Sequence, residues 1–319
     1  MKLKKIYEEI IREGVAADPR DKKLIQEYLQ KQKERYQSLS SEEKICFDKE
    51  TLTNPYADSR LLNGDPDTEI KTAIVGIDID SSELLFINTH NKENKKQKID
   101  LAVSHHPQGI AYASFYEVMD MQSDIFHNIG VPINIAEGLV EERKKEVGRK
   151  IHAANHHRVT DMARLLNIPF MCAHTPADNH AVAFLDRTFE ARKPQRLEDI
   201  MSILDSIEEY KISKREHVAP NILFGKPSAR AGKLFVDMTG GTEGPKDIVD
   251  NLLQAGVGTL VGMHLSEEHY KKFQGKHINV IVAGHIASDN LGLNLLLDKI
   301  EKTAKIKILA CSGFRRIKR

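Results

Sequence analysis

Short apolar runs that stop at a histidine, an acid or a glycine-rich loop recur through this 319-residue chain, and few architectures accommodate them. Residues 72–77 run into Asp78-Ile-Asp80, residues 99–103 into Ser104-His-His-Pro107, and residues 168–173 into His174-Thr-Pro-Ala-Asp178. Further on, residues 233–238 lead to a glycine-rich loop, residues 259–263 to His264, and residues 280–283 to Gly284-His-Ile-Ala-Ser-Asp289. A run apolar at nearly every position suits a strand buried on both faces, which is the habit of parallel sheets. Amphipathic helical stretches separate the runs, so the chain is expected to be α/β. In such sheets, ligands and metals collect at the carboxyl ends of the strands. The polar residues that close each run therefore become the candidate site.

The run into His105 and His106 is the most informative. Pro107 holds His106 extended and ends any regular element there. Within a strand the two imidazoles would point to opposite faces, whereas at a strand end turning into a loop both can face one cavity. Read alone, they could equally be loop residues making ordinary hydrogen bonds. Two further strand ends repeat the chemistry, His174 with Asp178 and His285 with Asp289. Imidazole and carboxylate at three strand ends in two halves of the chain suggest a mixed nitrogen and oxygen site for two divalent first-row ions. Zinc, iron, manganese, cobalt or nickel suits such donors better than calcium or magnesium does.

The length calls for two or three compact units. We expect an N-terminal helical extension over residues 1–65, a first α/β lobe over 66–190, a connecting segment over 191–231 and a second α/β lobe over 232–319, with the metal site between the lobes. The extension carries apolar stripes (Ile6, Ile10, Ile11, Val15, then Leu24, Ile25, Tyr28, Leu29) broken at Asp18-Pro19, and reads as an appendage or a cap facing a partner. Asn54-Pro55 and Asn63-Gly-Asp-Pro66 read as turns. Residues 136–166 read as one long helix or two abutting ones carrying His152 and His156, four apart but without the glutamate of an HExxH site. Ser266 and Ser288 are expected to cap helices, and residues 305–311 to form a final strand closing the second lobe.

Composition excludes several classes. A formal net charge of +1 gives no field to recruit nucleic acid or an anionic membrane. Three cysteines without CxxC spacing argue against disulfides or a zinc–thiolate site. The charged start (Lys2, Lys4, Lys5, Glu8, Glu9) lacks the apolar core of a signal peptide, and no run approaches a membrane span, so a cytoplasmic protein is expected.

Ser104-His-His-Pro107, His174-Thr-Pro-Ala-Asp178 and Gly284-His-Ile-Ala-Ser-Asp289, in this order, resemble the motifs of the NIF-three-like proteins (Ngg-interacting factor three-like, grouped with the type-two GTP cyclohydrolase I proteins). The resemblance spans roughly residues 70–310. It implies two α/β lobes with a dinuclear site between them, assembled as a homo-oligomer, a toroidal hexamer. By position, it implies metal ligands at His105, His106, Asp178, His285 and Asp289, with His174 orienting Asp178. Asp289 stands where the family usually has glutamate, one methylene longer. The expected function is that of a metal-dependent hydrolase on a nucleotide-like or phosphorylated small molecule, with GTP ring opening as the most specific version and His174 or His264 moving the proton. The alternative is a metal-binding assembly or regulatory protein without catalysis.

Overall fold

The computed structural model describes residues 1–319 and contains nine strands in two sheets. They are β1 (Leu61–Asn63), β2 (Thr72–Gly76), β3 (Leu101–Ser104), β4 (Phe170–Cys172), β5 (Asn221–Phe224), β6 (Lys233–Asp237), β7 (Val257–Gly262), β8 (Asn279–Val282) and β9 (Lys307–Cys311). The first sheet has the order β1-β4-β3-β2-β9, the second β5-β8-β7-β6. In each, one edge strand is antiparallel, β1 in the first and β5 in the second, and the others are parallel. No helix is long and apolar enough to cross a membrane.

Alternation along the strands decides the layering. Ala73, Val75 and Ile77 face one core, shared with Leu101, Val103 and Met171, while Ile74 faces the other with Ala102 and Phe170. The outer face of this sheet is covered by helices Ser81–Glu93 (Leu84, Ile87) and Arg158–Leu165 (Val159, Ala163). The second sheet repeats the plan. Val236, Val261 and Ile281 face inward, whereas Phe235, Leu260 and Val280 pack outward on Phe126, Ala136 and Phe273. Between the sheets lie helices Thr175–Arg192 and His285–Thr303. Ala177 and Leu293 belong to the core of the first sheet, and Leu185 and Leu291 to that of the second. The protein is thus two α/β lobes that share a central helical layer.

Three local expectations change. The last strand does not close the second lobe: β9 pairs with β2, Val75 opposite Ala310, at the edge of the first sheet. Helix His285–Thr303, about 28 Å long at 1.5 Å per residue, carries the chain back across the molecule. The N-terminal segment divides in character. Leu3, Ile6 and Ile10 of helix Leu3–Ala17 are built into the first core, whereas helix Lys22–Ser38 buries only Ile25. Residues 191–231, expected as a connecting segment with an amphipathic helix over residues 197–207, do contain helix Leu197–Leu204, and in addition helix Glu208–Arg215 and β5. β1 and β5 escaped the sequence reading because each is a short edge strand whose pairing with a distant partner, not its own pattern, makes it a strand.

Candidate metal centre

β3 and β4 end level with one another, with Ser104 opposite Cys172. His105 and His174 therefore leave neighbouring strands at the same edge, their ring centroids 4.9 Å apart. The ladder persists past the end of β3: the His105 and His106 amides donate to the Gly76 and Ile77 carbonyls, both at 2.9 Å. With the backbone pinned, the turn before Pro107 brings both rings to one side, their centroids 5.3 Å apart.

Two helices deliver the carboxylates. Thr175–Arg192 begins immediately after His174, with Pro176 near its start, where the absent N–H costs nothing. His285–Thr303 begins after Gly284, whose φ of 106° few other residues adopt. Ser288 is not its cap; its hydroxyl donates back to the Gly284 carbonyl at 2.7 Å and contacts the Tyr210 hydroxyl. Because the helix starts at His285, Asp289 lies one turn along on the same face. Asp178 stands in the same relation to His174.

The two halves converge. His105 Nε2 is 3.5 Å from both Asp178 Oδ1 and Asp289 Oδ1. Asp289 Oδ2 lies 3.4 Å from His106 Nε2 and 3.6 Å from His285 Nε2. His174 Nε2 lies 3.8 Å from Asp178 Oδ2. Donor atoms of His105, His174 and Asp178 form one group, and those of His105, His106 and Asp289 another; within each, all lie within 4.8 Å of one another. His105 belongs to both. The shorter side chain of Asp289 still turns Oδ1 to His105 and Oδ2 to His106 and His285. His285 joins at the rim, its ring 5.2 Å from that of His106.

This chemistry fits a cation. His105 Nε2, His106 Nε2, Asp178 Oδ1 and both oxygens of Asp289 are buried without a hydrogen-bonding partner. Polar atoms so placed cost on the order of 1–3 kcal/mol each, and more when charged, unless something compensates them. A divalent ion held by imidazole and carboxylate does so, and the two groups can each hold one. The protonation of the cluster shows the same strain. Burial pushes the Asp178 carboxyl up to about 6, against the pull of His174 and His105. Asp289 is held well below the carboxylate range, because His105, His106 and His285 outweigh its burial. Burial opposes the charge on His174, but Asp178 and Asp58 raise it to about 9; burial lowers His285 to about 4.

Two acids lock the rings. Asp78, at the end of the β2 run, accepts from His106 Nδ1 at 2.8 Å. Asp58 Oδ2 accepts from His174 Nδ1 at 2.8 Å and from the Thr175 hydroxyl at 2.6 Å. With Nδ1 occupied, each ring turns Nε2 to the cluster. Asp58 was not foreseen. It lies in the 54–60 loop, where Asn54-Pro55 announces only a turn, and nothing local marks an acid that serves a histidine 116 residues away.

His264 stands beside the cluster, its ring 5.0 Å from that of His285, with Nδ1 3.4 Å from Glu243 Oε1. Glu243, unremarked in the sequence, also accepts from the Ser266 amide at 2.6 Å and lies 3.3 Å from His269 Nδ1. His152 and His156 do not share a helical face: helix Ile133–His152 ends at the first, and the second lies in the following loop. The cluster opens into a cavity of about 570 Å³, whose lining also includes Asp237, Ile248, Leu260 and Phe273.

Fold and site together define a two-lobed α/β protein with a paired histidine–carboxylate cluster where the lobes meet. Among solved structures, a NIF3 superfamily protein from Sphaerobacter thermophilus is 26% identical, with a TM-score of 0.69, covering 81% of this chain and 91% of that one. Reduced HcgD from Methanocaldococcus jannaschii (15% identity, TM-score 0.49, 80% and 89% covered) and a Bacillus cereus protein related to NIF3 (11%, 0.41, 80% and 91%) are more distant. No family model and no curated protein matches the sequence. With the three motifs in place on the shared fold, the chain belongs to the NIF3 superfamily.

Proposed function

We propose that the protein is a dinuclear metal-dependent hydrolase of a small molecule, nucleotide-like or phosphorylated, whose reacting group meets the His105–Asp289 cluster. The carrying observation is the set of buried, unpartnered donors, of which those of His106 and Asp178 belong to residues lining a cavity of substrate size. His105, His106, His285, Asp178 and Asp289 would hold the ions, with His174 turned into the same group by Asp58. Two bound ions would activate water and polarise the bond under attack. The chain's own residues supply the rest. Asp58 and Asp78 fix the two rings, and His264, with Nδ1 directed to Glu243, presents Nε2 for holding or passing a proton. GTP ring opening is one reaction of this class, and the hexamer implied by the sequence resemblance belongs to the same proposal.

A cluster open to a cavity favours catalysis over a closed structural site. The test is elemental analysis of untagged protein purified without chelator, beside a His105→Ala/His106→Ala variant. About two ions per chain, lost in the variant with the circular dichroism unchanged, are expected. Equal metal content in both would overturn the assignment, and ions without turnover of any nucleotide or phosphoester would leave the non-catalytic alternative.

A further inference from the structure

Part of the cavity wall belongs to the outer core of the second sheet and not to the cluster. None of the residues lining the cavity is lysine or arginine, so away from the cluster and its neighbouring histidines an anionic group has no cationic side chain to meet. The charged groups that do line it are mostly engaged. Asp78 holds His106, and Glu243 accepts from the Ser266 amide and lies against His264 and His269. His269 is turned away, its two nitrogens meeting the Ser266 hydroxyl and the Gly244 carbonyl. Among the acids outside the cluster, Asp237 is the exception. It ends β6 in the alternation of Phe235, which places its carboxyl on the face built from Ile248, Leu260 and Phe273. Its partner on β7 is Gly262, which has no side chain to cover it. No hydrogen bond or ion pair engages the carboxyl, and burial, with Glu243 second, pushes it up to about 7.

We propose that Asp237 is a specificity residue: the end of the substrate remote from the cluster is a planar N–H donor of the amidine, amide or ureide class, packed on the Ile248–Leu260–Phe273 wall and hydrogen-bonded to this carboxylate. A carboxylate on an apolar wall pairs well with two parallel N–H groups and repels an anion. The substrate is therefore two-ended, with any phosphate at the cluster and nitrogen at Asp237. The inference rests on the proposed function only in taking this cavity as the substrate site.

Four probes sharing one ring test it: benzamidine, benzamide, benzoate and phenyl phosphate, titrated calorimetrically into the protein as purified and after chelation. Benzamidine is expected to bind both preparations, about tenfold or more weaker to Asp237→Asn, a loss of about 1.4 kcal/mol. Benzamide should change less than about threefold, because the asparagine amide still pairs with it. Phenyl phosphate and benzoate are expected to bind only the metal-loaded protein, indifferently to Asp237→Asn. Asp237→Ser is the second variant, and urea unfolding of both confirms the fold. Benzamidine affinity unchanged by both Asp237 variants, or lost instead in Asp178→Asn, overturns the proposal, as does no saturable benzamidine binding or equal binding of phenyl phosphate to the chelated protein. The chelated arm needs neither ions nor turnover, so a failed hydrolase assignment leaves this result standing.

Discussion

A buried imidazole between two carboxylates sets how the cluster takes up metal. His174 is raised from its ordinary value of 6.5 to about 9 by Asp178 and Asp58. Without metal, its charged form contributes stability that is full below pH 6.5 and is lost as the pH rises through 9. A cation bound at Asp178 takes over the role of that proton, so binding at pH 7 should release about one proton per chain and tighten as the pH rises from 7 to 9. Titrations in buffers of different ionisation enthalpy measure the release; metal affinity flat across that range would place His174 outside the cluster. Asp178, raised to about 6, adds a proton of its own only in more acid solution. The sequence displayed His174 and Asp178 because they share one strand end. It concealed Asp58, whose role exists only once the 54–60 loop lies against that strand end, and Asp237, which differs from any acid after a strand only in the apolar wall around it.

Helix against helix, the clearest constraint lies at one glycine. Gly292 of helix His285–Thr303 meets helix Thr175–Arg192 so closely that an added Cβ would stand 2.3 Å from the Ala177 carbonyl oxygen. Ala177 is the residue before Asp178, so this contact sets how near one carboxylate-bearing helix comes to the other. Helix propensity alone predicts that Gly→Ala stabilises by about 1 kcal/mol. At Gly292 a backbone clash opposes it, and overpacking of this kind costs about 1–3 kcal/mol or more. Gly292→Ala should therefore lose about 2 kcal/mol in urea unfolding and bind metal more weakly. Gly138→Ala, in helix Ile133–His152 with nothing within 4 Å of its Cβ, should gain about 0.5–1 kcal/mol. A gain at both positions would mean that the helices have room to part. At this scale the strands with continuous apolar runs were legible within a residue or two. The antiparallel edge strands were not, nor was the register of the final helix, which starts at His285 and not at Ser288.

Across the molecule, two lobes could be foreseen from the alternation, but their common layer could not. Nothing in the pattern of residues 305–311 says which sheet they join, and only β9 returning to β2 shows that helix His285–Thr303 belongs to both halves. Its Leu293, Leu296 and Ile300 pack on the first sheet, and its Ala287 and Leu291 on the second; Thr175–Arg192 divides itself likewise through Ala177 and Leu185. The cluster lies where these two helices begin, so metal should hold one cooperative unit and not one lobe. At a free-ion concentration of 100 Kd, each site adds about 2.7 kcal/mol. For a chain of this size that raises the melting midpoint by roughly 5 °C per site. Calorimetry should show a single transition with metal and a single, lower one after chelation. Two separated transitions, only one of them moved by the chelator, would mean that the helices serve one lobe and that the cluster stabilises that lobe alone.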